Sequence, residues 1–302
     1  MLRRDEGFHL AHIGVWDNDL SLEILKSWVN LIDEDGWVGR EQGLGDEARS
    51  RVSKAIRPSI SIAIHSSLIA LLLQIPEKFQ AQNPRYGNPP TFTAALAMYV
   101  DRLVAVAGQT GESLDSFPDD LVMSGSAGAQ ALFSASHIGE NATFDHSDEG
   151  LRTAHLRSGA LARSYLRDIY KPLRRHYDWF RDTQKGELKR WGRKTASRSP
   201  EAFRWRGRTS THVLTSGLDD YPRAKVPHSG ELHLDLHSWM GFFAEMMRRI
   251  AEVLGEQDDV RTFESHLTGI VSNLDGKSDC SASVPSVTQK LTRSVSGRAL
   301  LE

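Results

Sequence analysis

The sequence predicts an all-α fold. Five stretches carry apolar residues at intervals of three and four, caps and breakers stand at their expected ends, and no series of alternating strands or β-α-β units interrupts them. At 302 residues with 39% apolar content, the chain can bury a substantial core. Its 37 basic and 39 acidic residues nearly cancel, so no global field gathers a polyanion, and a neutral ligand suits it better than nucleic acid. The single cysteine, Cys280, excludes an intrachain disulfide and a cysteine-rich metal site. Met1 to Arg4 leads directly into patterned sequence without the apolar run of a signal peptide.

In chain order, Asp17 is placed to cap a first helix with Leu20, Ile24, Trp28 and Leu31 on its apolar face and Gly36 at its left-handed end. Asp5 and His9 precede this helix, and Trp37, Arg40 and Glu41 follow it. Residues 53–75 form an apolar run too short, and too rich in His65, Ser66, Ser67 and Gln74, to span a membrane. Pro89-Pro90-Thr91 starts a second helix carrying Phe92, Leu96, Tyr99 or Val100, Leu103 and Val106, ending at Gly108. Gly111 to about Gly159 reads as a loop excursion, with a glycosylation sequon at Asn141-Ala142-Thr143. Leu161, Tyr165, Ile169, Leu173, Tyr177 and Phe180 give a third helical face, which Pro172 is expected to kink or split.

Ser229 is the expected cap of a fourth helix through Leu232, Leu236, Met240, Phe243, Met247, Ile250 and Leu254 to Gly255. A fifth uses Val260, Phe263, Leu267, Ile270 and Leu274. The tail 277–302 has the composition of a disordered segment.

Chemistry concentrates around Ser216-Gly217-Leu218-Asp219-Asp220-Tyr221-Pro222-Arg223. Two carboxylates between a glycine and a proline sit on a loop, which is either a capped turn or a displayed acid. Just before it, Phe203-Arg204-Trp205-Arg206-Gly207-Arg208 alternates rings with cations, a pattern that stacks on and clamps planar or polyhydroxyl ligands, or forms a basic loop with one core tryptophan. Arg40-Glu41 reads equally as a surface ion pair. His233 and His237, one turn apart with His228 nearby, have metal-ligand spacing, but the glutamate of a His-Glu-x-x-His site is absent.

Four ordered blocks resemble glycoside hydrolase family 63, the processing glucosidase I family: Asp5 to His9, Leu31 to Gln42, Asn88 to Thr91, and Ser216 to Arg223 with Glu231 to Leu236. The resemblance implies a six-hairpin (α/α)6 toroid, of which about half is encoded here. It further implies a partial catalytic domain over 1–276, interrupted at 53–75 by a segment best read as a retained intron, or else a lineage-specific loop or helix, and followed by the divergent tail 277–302. The implied activity is removal of the terminal glucose of a glucosylated mannose-rich N-glycan by an inverting mechanism, without cofactor or metal. Alternatives are another glycosidase of this fold, such as a trehalase-like one, and an inactive glycan-binding fragment.

By the same resemblance Asp219 is the catalytic acid, kept protonated by burial. Asp5, His9, Trp37, Arg40 and Glu41 bind sugar, Trp205 stacks on a ring, Arg206 and Arg223 orient hydroxyls or Asp219, and Glu231 and Asp235 shape the pocket. Phe203 stands where the family has tyrosine. The general base is expected in hairpins beyond this chain, which by itself is then inactive. The family also implies the endoplasmic reticulum, reached through an amino-terminal membrane anchor of full-length members.

Overall fold

A computed structural model describes residues 3–40, 83–110, 152–188, 199–218, 221 and 226–275. Among them the regular structure is helical apart from one isolated antiparallel bridge, Lys185 with Phe203, so the all-α expectation holds. The helices are α1 (Arg3–Trp16), α2 (Asn18–Val29), α3 (Phe92–Thr110), α4 (Ala154–Arg157), α5 (Gly159–Thr183), α6 (Leu234–Leu254) and α7 (Gln257–Asp275), with one 3-10 turn at Leu214–Ser216.

The first block precedes α2, as expected, but is itself helical and forms part of α1. Its packed face is made of Glu6, Gly7, Leu10 and Gly14, too poor in apolar residues to show a period. The glycines bring α1 close to α3: a Cβ on Gly7 would lie 2.2 Å from the carbonyl carbon of Thr91.

Asp17 caps α2 as expected, its Oδ1 accepting from Leu20 N at 2.9 Å. The apolar face is corrected. Leu20 and Leu31 are each 45% exposed, while Leu22, Leu25, Trp28, Val29 and Ile32 are buried. Two overlapping stripes were available, and the one facing α1, α3 and α5 is buried. The helix ends at Asn30, ahead of Gly36. Gly36 does have a left-handed φ of 88°, but in a separate turn closed by Trp37 N to Asp33 Oδ1 at 2.7 Å. Its lack of a side chain lets the turn touch α5, where an added Cβ would lie 2.3 Å from Arg175 O. His176 Nδ1 and Gly36 O are 2.7 Å apart across the same contact.

Phe92, Leu96, Tyr99, Val100 and Leu103 are buried along α3, which runs past Gly108 to Thr110. Asp19 of α2 reaches across to α4 and accepts from Ala154 N at 2.8 Å and His155 N at 3.3 Å, capping a short helix within the stretch expected to be a loop. Ser158 caps α5 through Leu161 N at 3.3 Å. Pro172 neither splits nor ends α5: buried Ile169 and Tyr170 before it, and Leu173, His176 and Tyr177 after it, hold both halves to the core.

Ser229 is not the cap of α6. The chain from Val226 to His233 is irregular, turning at Ser229-Gly230 where Glu231 N donates to His228 O at 3.1 Å; His233 N then donates to Phe203 O at 3.0 Å, and the helix starts at Leu234. From there Leu236, Met240, Phe243, Met247 and Ile250 are buried as the spacing requires. Gly255, φ 79°, turns the chain back into α7. Phe263 and Ile270 seal that hairpin, and buried His237 adds its Nε2, 2.8 Å from Ile270 O. The centre of the core is aromatic: Tyr177 meets Phe243 and Phe263 edge-on, both at 5.3 Å.

No described helix is long and apolar enough to cross a membrane. The segment 53–75, the sequon at Asn141 and the tail 277–302 lie outside the described residues.

Candidate active site

The site is built where α5 ends. Its last turn runs into Gln184, and the returning segment 202–206 pairs with it: Gly186 N donates to Ala202 O at 2.8 Å and Arg204 N to Gln184 O at 2.7 Å. Buried Gln184 adds a side-chain clamp, accepting from Arg206 N at 3.0 Å through Oε1 and donating to Arg85 O at 2.9 Å through Nε2. An extended segment sends alternate side chains to opposite faces. Phe203 and Trp205 therefore go down into the core, at 2% and 0% exposure, while Arg204, Arg206 and Arg208 line a cleft above.

Trp205, expected to stack on a sugar, borders the cleft but has no exposed ring face. Instead its Nε1 donates to Asp235 Oδ2 at 2.9 Å, its ring meets Phe180 edge-on, and its backbone N donates to His233 Nδ1 at 2.8 Å. Asp235 is correspondingly a tie beneath the cleft, on the first turn of α6.

The cleft encloses about 760 Å³ between Tyr86, Asp182, the three arginines and Glu231. Arg206 lines its wall with Nε on Thr183 O at 2.7 Å and Nη2 on Lys185 O at 3.0 Å, so its guanidinium neutralises the carbonyl end of α5. Burial, then neighbouring Arg204, lowers its pKa from the ordinary arginine value. Glu231 is buried, with Oε2 at 3.4 Å from Arg208 Nε and 3.9 Å from His233 Nε2.

A second cleft of about 480 Å³ lies beside the first and shares Arg85, Asp182 and Thr183 with it. Trp37 lines this one, its indole orientation fixed by Nε1 donating to Tyr86 O at 3.2 Å. Asp178, also on its wall, has its pKa raised by burial against the opposing pull of Arg174 and Arg181.

Asp219, Arg223 and Glu41 lie outside the described residues. The turn leading to Asp219 is described. Gly217 takes a left-handed φ of 70°, a conformation that glycine adopts without strain, and Leu218 N donates to Ser216 Oγ at 3.1 Å. Thr215 Oγ1 donates to Arg206 O at 2.7 Å, fastening that turn to the cleft wall. A Cβ on Gly207 would sit 3.0 Å from Tyr86 and 3.2 Å from Thr215, so this glycine permits the close approach.

The other expected residues are dispersed. Asp5 is half-buried on α1, and His9, with a side chain 61% exposed, lies 3.4 Å from Glu6 Oε2; neither lines these two clefts. Arg40 is half-buried, with its sequence neighbour Glu41 undescribed. Sequence reasoning missed Tyr86, Asp182, Gln184 and Arg208. Arg208 was legible as the third cation of the alternating stretch, whereas Asp182 and Gln184 stand out only once the end of α5 is known. His233 and His237 spend ring nitrogens on Trp205 N and Ile270 O, and no cluster of three metal-ligating side chains occurs among the described residues.

A row of arginines facing buried and surface carboxylates offers donors and acceptors to a neutral polyhydroxyl ligand. Comparison with known sequences narrows that description. The family described as Glycosyl hydrolase family 63 C-terminal domain matches residues 2–62 and 70–280. The chain belongs to glycosyl hydrolase family 63. The family match is interrupted at 63–69, inside the segment read as inserted, but includes 53–62 and 70–75. A probable mannosyl-oligosaccharide glucosidase of Schizosaccharomyces pombe is 41% identical over 276 residues, covering 90% of this chain and 28% of that protein. The mannosyl-oligosaccharide glucosidase of Saccharomyces cerevisiae is 35% identical over 90% of this chain and 28% of its own length. An Arabidopsis thaliana mannosyl-oligosaccharide glucosidase is 30% identical over 84% and 21%. The chain thus spans less than a third of the length of these family 63 relatives, and its helical hairpins are those of the family's toroid-type architecture.

Proposed function

We propose that the protein carrying this chain removes the terminal glucose of a glucosylated mannose-rich N-glycan by inverting hydrolysis, in the endoplasmic reticulum. The observation that carries this reading is the bond from Thr215 to Arg206 O, which fastens the Ser216-Gly217-Leu218 turn, and with it the entry to Asp219, to a cleft lined by arginines and Glu231. In an inverting reaction Asp219, as the acid, gives its proton to the leaving oxygen. A second carboxylate, about 6.5–9.5 Å away, takes a proton from the attacking water on the opposite face. That base is expected in a family hairpin other than those described above.

Arg204 and Arg208 present donors to sugar hydroxyls, and Glu231 accepts from them. Trp205 and Asp235 support the arginine row from below. The adjoining cleft at Trp37 offers room for the next sugar of an extended glycan, across the shared wall of Arg85 and Asp182. The membrane anchor belongs to the family expectation and involves none of these residues.

NMR of the purified protein with a glucosylated mannose-rich glycan tests the reading. Glucose release with the first-formed anomer opposite to the bond cleaved supports it. Retention of configuration, or release of glucose from trehalose in preference to the glycan, overturns it.

A further inference from the structure

Glu231 is only 7% exposed, yet its Oε2 has no hydrogen-bond partner among the described residues. Two groups flank that oxygen without hydrogen-bonding to it: Arg208 Nε, ion-paired at 3.4 Å, and His233 Nε2 at 3.9 Å, on side chains 7% and 4% exposed. A carboxylate this deep needs compensation for lost hydration. The Arg208 charge, 3.4 Å from Oε2, contributes to it, and Glu231 lines the cleft.

The tautomer of His233 follows from its other nitrogen. Trp205 N donates to Nδ1 at 2.8 Å, so Nδ1 holds a lone pair and the neutral ring carries its proton on Nε2, on the side of Glu231. His233 N to Phe203 O, at 3.0 Å, fixes the backbone from which the ring projects. The ring therefore adds a dipole beside Glu231 without a second positive charge.

We propose that His233 is a positioning residue: held in its Nε2–H form by the Trp205 backbone, it keeps the Glu231 carboxylate from closing a hydrogen bond onto Arg208, so that Glu231 serves as the acceptor for one hydroxyl of a neutral sugar. This deepens the proposed function and rests on it. Removing the imidazole lets Glu231 collapse onto Arg208, which occupies the acceptor and weakens sugar binding.

A kinetic double-mutant cycle tests the role. His233→Leu is expected to raise KM for the glycan about tenfold with little change in kcat, the size of one charged hydrogen bond. In a Glu231→Gln background the same substitution is expected to change KM little further. His233→Gln, whose amide both accepts from Trp205 N and donates toward Glu231, is expected to restore much of the lost affinity. Equal losses from His233→Leu in both backgrounds overturn the proposal. Long-range proton–nitrogen NMR of the unsubstituted protein provides an arm independent of turnover: a neutral Nε2–H imidazole at His233 supports it, and an Nδ1–H ring or an imidazolium overturns it. Absence of glucose release would count against the proposed function, while this arm still decides the state of His233.

Discussion

Trp205 Nε1 donates to Asp235 Oδ2 at 2.9 Å, and this bond joins the segment that carries the arginine row to the first turn of α6. The ring is wholly buried, so its contribution lies in stability and placement. Trp205→Phe removes the donor and part of the packing, with an expected cost of about 1–3 kcal/mol in urea unfolding. Glycan affinity should fall less than stability does. Unchanged stability with strongly weakened affinity would return Trp205 to the stacking role.

Gly36 combines a φ of 88° with a turn packed directly on the α5 backbone, where a Cβ would come within 2.3 Å of Arg175 O. Gly36→Ala should therefore cost more than the about 1 kcal/mol of conformational strain alone, with overpacking adding roughly 1–3 kcal/mol. Thermal unfolding checks this: a variant as stable as the parent would show that the contact yields without cost.

Asp19 links α2 to α4. Burial raises its pKa, but hydrogen bonds from His155 and Asn18 and the charge of His155 outweigh this and hold it below the ordinary 3.8. A carboxylate with a depressed folded pKa stabilises fully above its unfolded value and loses that contribution as pH falls through the folded one. Asp19→Asn should cost about 1 kcal/mol near neutral pH, and the difference should shrink as pH falls below 3.8. A difference that is constant across acidic pH would contradict the ionised cap.

Residues 53–75 remain a sequence-based proposal. If they are a retained intron, deleting them should raise soluble yield and thermal stability, because an apolar run without designed partners favours association. A deletion that unfolds the protein would show that the segment belongs to the domain.

The helix faces that were legible share one property: a single dominant apolar stripe. Phe92 to Leu103, Tyr165 to Phe180, and Leu236 to Ile250 offer one packing solution each, and that solution forms. In α2 the Leu20 and Leu22 stripes overlap, and the choice between them depends on neighbours far away in sequence. Helix α1 was invisible because its packing rests on close backbone approach at Gly7 and side-chain contact at Gly14 rather than on an apolar stripe. In the site, the alternation from Phe203 to Arg208 was read correctly as rings against cations. What the sequence did not supply was the side facing the core, which is set by pairing with Gln184 and His233. Likewise Ser229 has cap chemistry, but the pairing of His233 with Phe203 delays the helix to Leu234.

We propose Asp219, the residue after Leu218 in the sequence, as the acid of a glycan-trimming glucosidase. Glucose release by the protein carrying this chain, compared between Asp219→Asn and Asp220→Asn with glycan binding measured in parallel, tests it most directly. Asp219→Asn is expected to keep binding and lose about 10²- to 10⁴-fold in turnover, because the amide matches the carboxyl in shape but cannot give up a proton. Near-normal turnover by Asp219→Asn, with Asp220→Asn as the inactive variant, would contradict it.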